Sequence, residues 1–521
     1  MPRRRLDCPT GRMLRPAILC FALLVALGAF CTRGHAAPPP TAARPNIVIV
    51  LADDLGYGDL HCYGHPTIHS PNLDRFATEG LRLTACYAAA PVCSPSRYGL
   101  MTGRTPYRGG IHNWIPQGSP MHMHEGEITI ATLLHRIGYA TCHVGKWHLN
   151  GKFNSDEQPQ PSDHGFDYWF STQNNALPSH RNPVNFVRNG KPVGKLIGYS
   201  AQLVTDEAIH WLRQVRPKDR PFFMFVCYHE PHEPIETDPR FSRLYPDTGK
   251  RSPYDPNTSS LAAHHGNITQ MDYAFGRLMK TLDEDGLRDS TLVVFTSDNG
   301  PAITRAHPHG SAGPLREKKG HVYEGGIRVP GMVRWPGHVP AGTTSDTPVS
   351  GVDWLPTICG IVGIDPPRDR RLDGTDLRPL FDGKELHRTT PLYWQYDMAR
   401  SDPKVAMRIG PWKLLATLRG YPFRPGGNVL AEVQHAIKTV QLDRFELYNL
   451  AHDIGEQSEQ SQQDPDRFRR MRRKLAAMYH EVQSESLIWP AWTWPKRESR
   501  QIREYVEQRR REARAKQRKG R

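Results

Sequence analysis

Three short apolar runs, each followed at once by a polar cluster, constrain the fold of this chain more than any other feature. The runs are NIVIVL before ADDLGYGD, RPFFMFVCY before HEPHEP, and STLVVFTS before DNGP, at residues 46–51, 220–228 and 290–297. Runs of this length that are rich in Val, Ile and Phe are typical of strands buried in a central sheet. Helical patterns lie between the runs, at residues 128–140, 199–215 and 267–286. This alternation predicts an α/β fold with a mostly parallel, mixed sheet, whose ligands bind beyond the carboxyl ends of the strands.

The chain changes character after about residue 385. Residues 404–418 predict a hairpin that turns at Gly410-Pro411, residues 445–450 predict another strand, and residues 464–483 predict a helix with a basic face. We therefore expect three parts after the N-terminal region: a large domain over residues 46–385, a smaller α+β domain with an antiparallel sheet over 386–490, and a basic tail over 491–521.

The first 36 residues predict a secretory signal peptide. A basic segment precedes the apolar run AILCFALLVALGAFC, and TRGHAA ends in small residues near Ala36. The apolar run is too short to be a spanning helix. We expect export to the periplasm or the extracellular space after cleavage near Ala36, no membrane span, and a Pro-rich linker over residues 37–45.

The formal net charge of +15 does not indicate a nucleic-acid partner, because the charge lies at the two ends of the chain. Residues 1–36 carry six Arg and one Asp, and residues 496–521 carry twelve Lys and Arg and four Glu, which leaves +2 for residues 37–495. The basic tail is typical of a solvated, frayed helix, with binding to a polyanion or a surface as the alternative.

Carboxylates and an amide follow two of the apolar runs and suggest a metal site. Asp53 and Asp54 come directly after the first run, and Asp298 and Asn299 after the third. Oxygen ligands of this kind suit Ca²⁺, with Mg²⁺ as the alternative. Zinc is disfavoured, because no CxxC pair occurs and the spacing from Cys142 to His148 fits no familiar zinc pattern.

Cationic and imidazole side chains recur near other segment ends. They are Lys146 and His148 in GKWHL, His229 and His232 in HEPHEP, and Arg316, Lys318 and Lys319 in LREKKG. Taken singly, each is usually a surface charge or a structural histidine. Together with a divalent metal, they would suit an oxyanion substrate such as sulfate or phosphate.

Cys93 stands in the segment CSPSRYGLMTGR, which predicts the start of a helix. Ser94 is a good N-cap and Pro95 a good first helical residue, so Cys93 would lie just ahead of the helix N-terminus, where anions are favoured. A buried inert cysteine and a reactive thiolate are both compatible with this position. A thiolate, however, is a poor partner for a Ca²⁺-like oxygen site.

The segment also resembles the maturation motif of the type I sulfatases, C-x-P-S-R followed by x₄-T-G-R. Further blocks in the order of that family are PNIVIVLADDLGYGDL, GKWHL, PHEP, TSDNGP, KKGHVYEGGIRVPG and ELYNLAHDIGE, spread over about 400 residues. The resemblance implies an alkaline-phosphatase-like fold and a sulfuric ester hydrolase, similar to arylsulfatases and N-acetylgalactosamine-6-sulfatases. It also implies that Cys93 is oxidised to formylglycine (3-oxoalanine) by a formylglycine-generating or anaerobic maturation enzyme.

The resemblance assigns roles to the candidate residues. It implies that Ca²⁺ is bound by the modified Cys93 together with Asp53, Asp54, Asp298 and Asn299. Arg97 would hold the hydrated aldehyde and His148 would assist it, while Lys146 and Lys319 would bind sulfate oxygens. His232 would lie near the leaving oxygen, with His229 as the alternative because the HEP sequence is repeated. One hydroxyl of the hydrate would attack sulfur to form a covalent sulfo-enzyme, and the second would expel sulfate.

Two alternatives remain open. A phosphonate monoester or phosphodiester hydrolase of the same superfamily would share the nucleophile and the metal site, and a non-catalytic glycan-binding relative would belong to another functional class. The expected substrate is a sulfated glycan or an aryl sulfate, contacted by the irregular loops 111–127 and 150–195.

Overall fold

The computed structural model describes residues 44–519 apart from Ala306 and Pro422. Its helices are α1 (Pro71–Thr78), α2 (Cys93–Thr102), α3 (Ile130–Arg136), α4 (Ser200–His210), α5 (Pro239–Ser242), α6 (Ser260–Glu284), α7 (Glu324–Ile327), α8 (Trp354–Val362), α9 (Arg378–Phe381), α10 (Ala431–Thr439), α11 (Pro465–Glu485) and α12 (Arg497–Lys519). Its strands are β1 (Asn46–Asp53), β2 (Leu81–Leu83), β3 (Cys86–Tyr87), β4 (Ala140–Lys146), β5 (Tyr168–Thr172), β6 (Val187–Arg188), β7 (Lys191–Pro192), β8 (Phe222–Pro231), β9 (Thr291–Ser297), β10 (Gly331–Arg334), β11 (Thr343–Ser345), β12 (Val349–Ser350), β13 (Leu392–Gln395), β14 (Val405–Ile409), β15 (Trp412–Leu418) and β16 (Leu442–Asn449).

The predicted signal peptide and residues 37–43 of the predicted linker lie outside the described residues. Among the helices that are described, none has the length and apolar character needed to cross a membrane.

A ten-stranded mixed sheet organises the larger part of the molecule, in the order β11-β2-β10-β9-β1-β8-β4-β5-β6-β7. The five central strands from β9 to β5 run parallel, whereas β10 and β6 are antiparallel to their inner neighbours. The three apolar runs correspond to β1, β8 and β9, which lie side by side. The predicted α/β fold with a mostly parallel, mixed sheet is confirmed.

The central strands are apolar throughout because both faces of the sheet are covered. Along β1, Ile47, Ile49 and Leu51 join one buried cluster, and the alternate residues Val48 and Val50 join another. Side chains of α2, α3 and α8 complete the first cluster, and those of α1, α4 and α6 complete the second. This layering leaves the carboxyl ends of the parallel strands as the polar edge of the sheet.

A four-stranded antiparallel sheet, β13-β14-β15-β16, forms the C-terminal part. β14 and β15 make the predicted hairpin, and Gly410 turns it with a φ of +55°. Apolar residues of α11, the predicted helix 464–483, pack on this sheet through Met471, Leu475 and Tyr479. The predicted α+β character of this part is confirmed.

Three of the predicted helices differ in extent from those in the structure. α4 ends at His210, and residues 211–215 of the predicted helix form a π-helical turn. α6 begins at Ser260, seven residues before the predicted start, because the Ser259 side chain caps it by accepting a hydrogen bond from the Ala262 N–H. α3 ends at Arg136, and the left-handed Gly138 (φ +91°) leads into β4, which the helical pattern had partly covered.

Candidate active site

Two adjacent strand ends bring four oxygen-bearing side chains together. β1 and β9 run in register up to Ala52 and Ser297, so Asp53 and Asp54 emerge beside Asp298 and Asn299. The Asp54 N–H donates a hydrogen bond to Asp298 Oδ1 over 3.1 Å. Asp54 itself has a φ of +68°, a left-handed conformation that costs about 1–3 kcal/mol in a residue with a Cβ and recurs at functional sites.

Helix α2 places Cys93 against this edge. The helix begins at Cys93 itself, with Val92 as the N-cap residue, so the prediction that Ser94 caps the helix and Pro95 opens it is wrong. The Ser94 hydroxyl instead accepts a hydrogen bond from the Ile115 N–H (3.1 Å), which ties α2 to the loop before α3. Ser96 similarly accepts from the Ala89 N–H (3.2 Å), so both serines position the helix.

Each carboxylate at the site has a cationic partner. Lys146, the last residue of β4, donates to Asp53 Oδ2 over 2.6 Å, and Lys319 Nζ lies 2.6 Å from Asp54 Oδ1. Arg97, on α2, donates from Nε and Nη2 to Asp298 Oδ2 over 3.0 and 2.8 Å. Lys319 Nζ also lies 3.7 Å from Cys93 Sγ, so this ammonium group is next to the cysteine as well as the acid.

These neighbours determine the charge states of the buried acids. Burial alone would raise the pKa of Asp53, but Lys146, His232 and Arg97 together hold that pKa well below its usual range. Burial and the charge of Asp53 raise the pKa of Asp298 to about 7. Burial also raises the pKa of the Cys93 thiol to about 11, although Lys146 and Lys319 oppose the shift. The thiol is therefore protonated at neutral pH, which disfavours a simple thiolate nucleophile.

Three buried oxygens at this edge lack hydrogen-bond partners: Asp53 Oδ1, Asp54 Oδ2 and Asn299 Oδ1. Buried acceptors are rarely left unpaired, and three together fit a hard divalent cation. Ligand atoms of Asp53, Asp54, Cys93 and His232 all lie within 4.8 Å of one another. Asp298 stands at the same place, but both of its oxygens already accept hydrogen bonds, so it would bind a cation through remaining lone pairs.

The three candidate histidines occupy different positions. Nε2 of His148 is hydrogen-bonded to the Ile115 carbonyl (3.1 Å), whereas its buried Nδ1 has no partner, and burial beside Lys146 holds its pKa well below the usual range. His232 Nε2 lies 3.6 Å from Asp54 Oδ2. His229 is buried behind the site, with Nε2 hydrogen-bonded to the Thr172 hydroxyl (2.8 Å).

A cavity of about 320 Å³ opens above Cys93, and His148, His232 and Lys319 line it, whereas His229 is absent from its described lining. The expected substrate loops contribute Trp114, Asn174 and Asn175 to its wall. The C-terminal sheet region adds residues that sequence reasoning missed: Tyr396, Met398 and Arg400.

Comparisons with known proteins identify the family of this chain. A family model described as sulfatase matches residues 45–364, which is more than half of the chain. The chain belongs to the sulfatase family. A second family model, described as N-sulphoglucosamine sulphohydrolase, C-terminal, matches residues 317–418.

Individual relatives of this sulfatase agree over most of its length. Rat N-acetylgalactosamine-6-sulfatase is 32% identical over 487 residues, covering 86% of each protein. Human arylsulfatase A is 35% identical over 401 residues, covering 71% of this chain and 75% of that protein. The crystal structure of Ps i-CgsB in complex with k-i-k-neocarrahexaose matches with a TM-score of 0.73 at 27% identity, covering 89% of this chain and 98% of that chain. The protein is therefore an enzyme that hydrolyses sulfuric esters, with the expected alkaline-phosphatase-like architecture.

The basic tail of this sulfatase contributes to the cavity wall, so its prediction as a solvated extension is wrong for one face of α12, although most of its described residues are exposed. One face of α12 points inward at a helical spacing through Glu498, Ile502, Tyr505 and Arg509. Tyr505 donates to Glu236 Oε2 over 2.6 Å, and Arg509 Nη2 donates to Glu236 Oε1 over 3.1 Å. The 4-3-4 spacing of these residues was the signal that could have revealed a buried face.

Proposed function

We propose that this sulfatase hydrolyses sulfate esters of glycans through a formylglycine made from Cys93, with the help of Ca²⁺. The observation that carries the proposal is the position of Cys93 on the cavity wall, with its sulfur within 4.8 Å of oxygens of Asp53 and Asp54 and 3.7 Å from Lys319 Nζ. No other described group near the cations is a better precursor of a nucleophile, since the neighbouring Ser94 and Ser96 hydroxyls are committed to backbone N–H groups.

When Cys93 is oxidised, the hydrated aldehyde supplies two hydroxyls on one carbon, one to attack sulfur and one to release sulfate. A serine in this place would lack the second hydroxyl. Arg97 would hold this hydrate, and it also fixes two of the neighbouring groups, because it donates hydrogen bonds to Asp298 and to the Lys146 carbonyl (2.8 Å).

The proposed calcium ligands are Asp53, Asp54, Asp298, Asn299 and residue 93. Bound there, Ca²⁺ would neutralise charge on the sulfate oxygens. Of these residues, Asp53 is ionised even without the ion, because its pKa is held low by the surrounding cations. Mg²⁺ is the alternative, and metal-dependent stability distinguishes the two ions.

The remaining side chains handle charge and protons. Lys146 and Lys319 would bind sulfate oxygens, and such fixed charges in a shielded site stabilise the developing negative charge of the transition state. His148, whose Nδ1 is neutral and unpartnered, would accept a proton from a hydroxyl on residue 93. His232, on the cavity wall, would donate a proton to the departing oxygen. We therefore assign the acid role to His232 rather than His229.

Glycans are the substrate class that we propose. One relative is an N-acetylgalactosamine-6-sulfatase, and Ps i-CgsB was solved in complex with k-i-k-neocarrahexaose. The proposed signal peptide would export the chain, and a maturation enzyme would have to act on Cys93.

Mass spectrometry of the tryptic peptide 83–97 tests the proposal. This peptide contains Cys86 and Cys93. In active protein we expect the loss of sulfur from Cys93, so that an alkylating reagent adds once, at Cys86, instead of twice. Cys86 is the internal control for complete alkylation. Double alkylation throughout a fully active preparation would refute the formylglycine mechanism.

A second assay separates the alternative activity. Purified, modified protein is compared on 4-nitrophenyl sulfate and on bis-4-nitrophenyl phosphate. We expect the sulfate to be turned over with the higher kcat/KM, whereas dominant turnover of the phosphodiester would favour the phosphodiester hydrolase.

A further inference from the structure

Glu498, in the first turn of α12, brings a carboxylate into the cavity wall. Its side chain is buried (8% exposed), and its two oxygens share the amide Nδ2 of Asn174 at 3.2 and 3.1 Å. Within the part of the chain that the structure describes, no Lys, Arg or His lies within ion-pair distance of it. Burial raises the pKa of Glu498, although hydrogen bonding from Asn174 and Asn175 and the charge of Lys146 oppose the shift. A carboxylate in such a place is costly, because amide donors alone, without a cation, replace the water that it loses.

The surroundings of Glu498 suit a sugar ring. Asn174 is itself buried, and its Oδ1 has no partner. Trp494 and Trp114 pack edge to face on the same wall, with ring centroids 5.0 Å apart, and Ile502 adds apolar surface. A few unsatisfied polar groups beside flat apolar surface are typical of a site that orients an amphipathic ligand.

The charge of Glu498 also affects which sugars fit. The sulfate-binding groups proposed above are cationic, whereas Glu498 makes this part of the wall anionic. The hydrogen bonds from Tyr505 and Arg509 to Glu236 hold α12, and with it Glu498, in place. Hydroxyl groups would donate hydrogen bonds to the carboxylate, and a second sulfate or a carboxylate on the same ring would be repelled by it.

We infer that Glu498 and Asn174 form a specificity-determining subsite that binds hydroxyl groups of the sugar ring bearing the scissile sulfate and rejects a second anionic substituent there. This inference rests on the proposed function, because it assumes that the sulfate lies at Cys93. The α12 wall would then restrict the enzyme to sugar rings whose one anionic group is the scissile sulfate at Cys93.

The test compares Glu498→Gln with wild type. Glutamine keeps the size of the side chain and removes its charge. The substrates are 4-nitrophenyl sulfate, N-acetylgalactosamine 6-sulfate and N-acetylgalactosamine 4,6-disulfate, together with a panel of other monosulfated sugars. We expect kcat/KM for the preferred monosulfated sugar, relative to 4-nitrophenyl sulfate, to fall at least tenfold, equivalent to about 1.4 kcal/mol. The preference for monosulfated over disulfated sugar should also fall at least tenfold, which a purely structural role of Glu498 would not produce.

Glu504→Gln is the matched control, because Glu504 lies on the exposed face of the same helix. It should leave both ratios within twofold of wild type. Ratios within threefold of wild type in Glu498→Gln would overturn the inference, as would turnover of 4-nitrophenyl sulfate without turnover of any monosulfated sugar.

A binding measurement separates failure of this inference from failure of the proposed function. The Cys93→Ala protein is titrated with the monosulfated sugars, followed by tryptophan fluorescence, with and without Glu498→Gln. We expect the second change to raise Kd at least tenfold even if no sulfate ester is hydrolysed. An unchanged Kd, or no binding, overturns the sugar subsite, whereas absence of 4-nitrophenyl sulfate turnover by modified wild type refutes the proposed function.

Discussion

Replacement of Lys319 by alanine is the sharpest test of the proposed charge arrangement. Lys319 Nζ lies 2.6 Å from Asp54 Oδ1 and 3.7 Å from Cys93 Sγ, and its side chain is 21% exposed. Its removal takes away the cationic partner of Asp54 but leaves that carboxylate a hydrogen-bond donor, unlike removal of Lys146, which is completely buried against Asp53. Asp54 keeps the hydrogen bond that Asn299 Nδ2 donates over 2.8 Å, so the variant should fold.

The expected size of the effect follows from the distance. A unit charge about 4 Å from another contributes about 4 kcal/mol at an effective dielectric constant of about 20. Only the part that grows in the transition state affects kcat. Removal of one such stabilising group costs about 10²–10³ in kcat in enzymes where this has been measured. We therefore expect Lys319→Ala to lower kcat for 4-nitrophenyl sulfate by about 10²–10³.

The assay must separate catalysis from maturation. The formylglycine content of each variant is measured on peptide 83–97, and kcat is expressed per modified molecule. Lys319→Arg keeps the charge, so its kcat should be at least tenfold higher than that of Lys319→Ala. Lys280→Ala, which removes a surface lysine that is 76% exposed, should stay within twofold of wild type. A kcat for Lys319→Ala within tenfold of wild type, at equal formylglycine content, would refute the reasoning.

Three further predictions concern the metal, the thiol and the acid. Ca²⁺ should raise the Tm of EDTA-treated protein, because binding at a hundredfold excess over Kd stabilises the folded state by about 2.7 kcal/mol. Asn299→Ala should reduce this rise in Tm, and equal rises in both proteins would contradict the calcium site. In unmodified protein the pKa of the Cys93 thiol is raised to about 11, so the thiol should react slowly with iodoacetamide at pH 8. The rate should increase about tenfold per pH unit up to pH 11, because the thiolate fraction grows with pH. Rapid labelling at pH 7 would contradict this prediction. His232→Ala should slow hydrolysis of alkyl sulfates more than that of 4-nitrophenyl sulfate, because the 4-nitrophenolate leaving group needs no proton. An equal loss on both esters would assign the acid role to another residue. His229→Ala is the comparison variant.

The sequence predicts the centre of the fold well because local pattern and tertiary environment agree there. β1, β8 and β9 are buried on both faces, so their apolar runs stand out against the rest of the chain. The carboxylates after β1 and β9 follow from the same pattern, since adjacent parallel strands must present their ends together.

The outer parts of the site could not be predicted in the same way. α12 is dominated by exposed basic residues. Three of its four inward-facing residues, Glu498, Tyr505 and Arg509, are hydrogen-bonded to Asn174 or Glu236, which lie more than 250 residues away in the chain. The basic composition of the tail therefore led to a prediction of solvent exposure, although the spacing of these four residues indicated a buried face. The cap of α2 was predicted wrongly for a similar reason, because the Ser94 hydroxyl finds a partner in the Ile115 N–H outside its own helix.

The burial of α2 has a kinetic consequence. All ten of its residues are buried, including Cys93 and Arg97. If Cys93 is modified as proposed, the modifying enzyme could bind this segment only while it is still unfolded. The strand ends that enclose Cys93 come from β1 and β9, about 240 residues apart, and pairing over such a separation is slow. The yield of active sulfatase would then depend on the relative rates of modification and folding. At a fixed amount of the modifying enzyme, faster folding would give more molecules that are folded but unmodified and inactive.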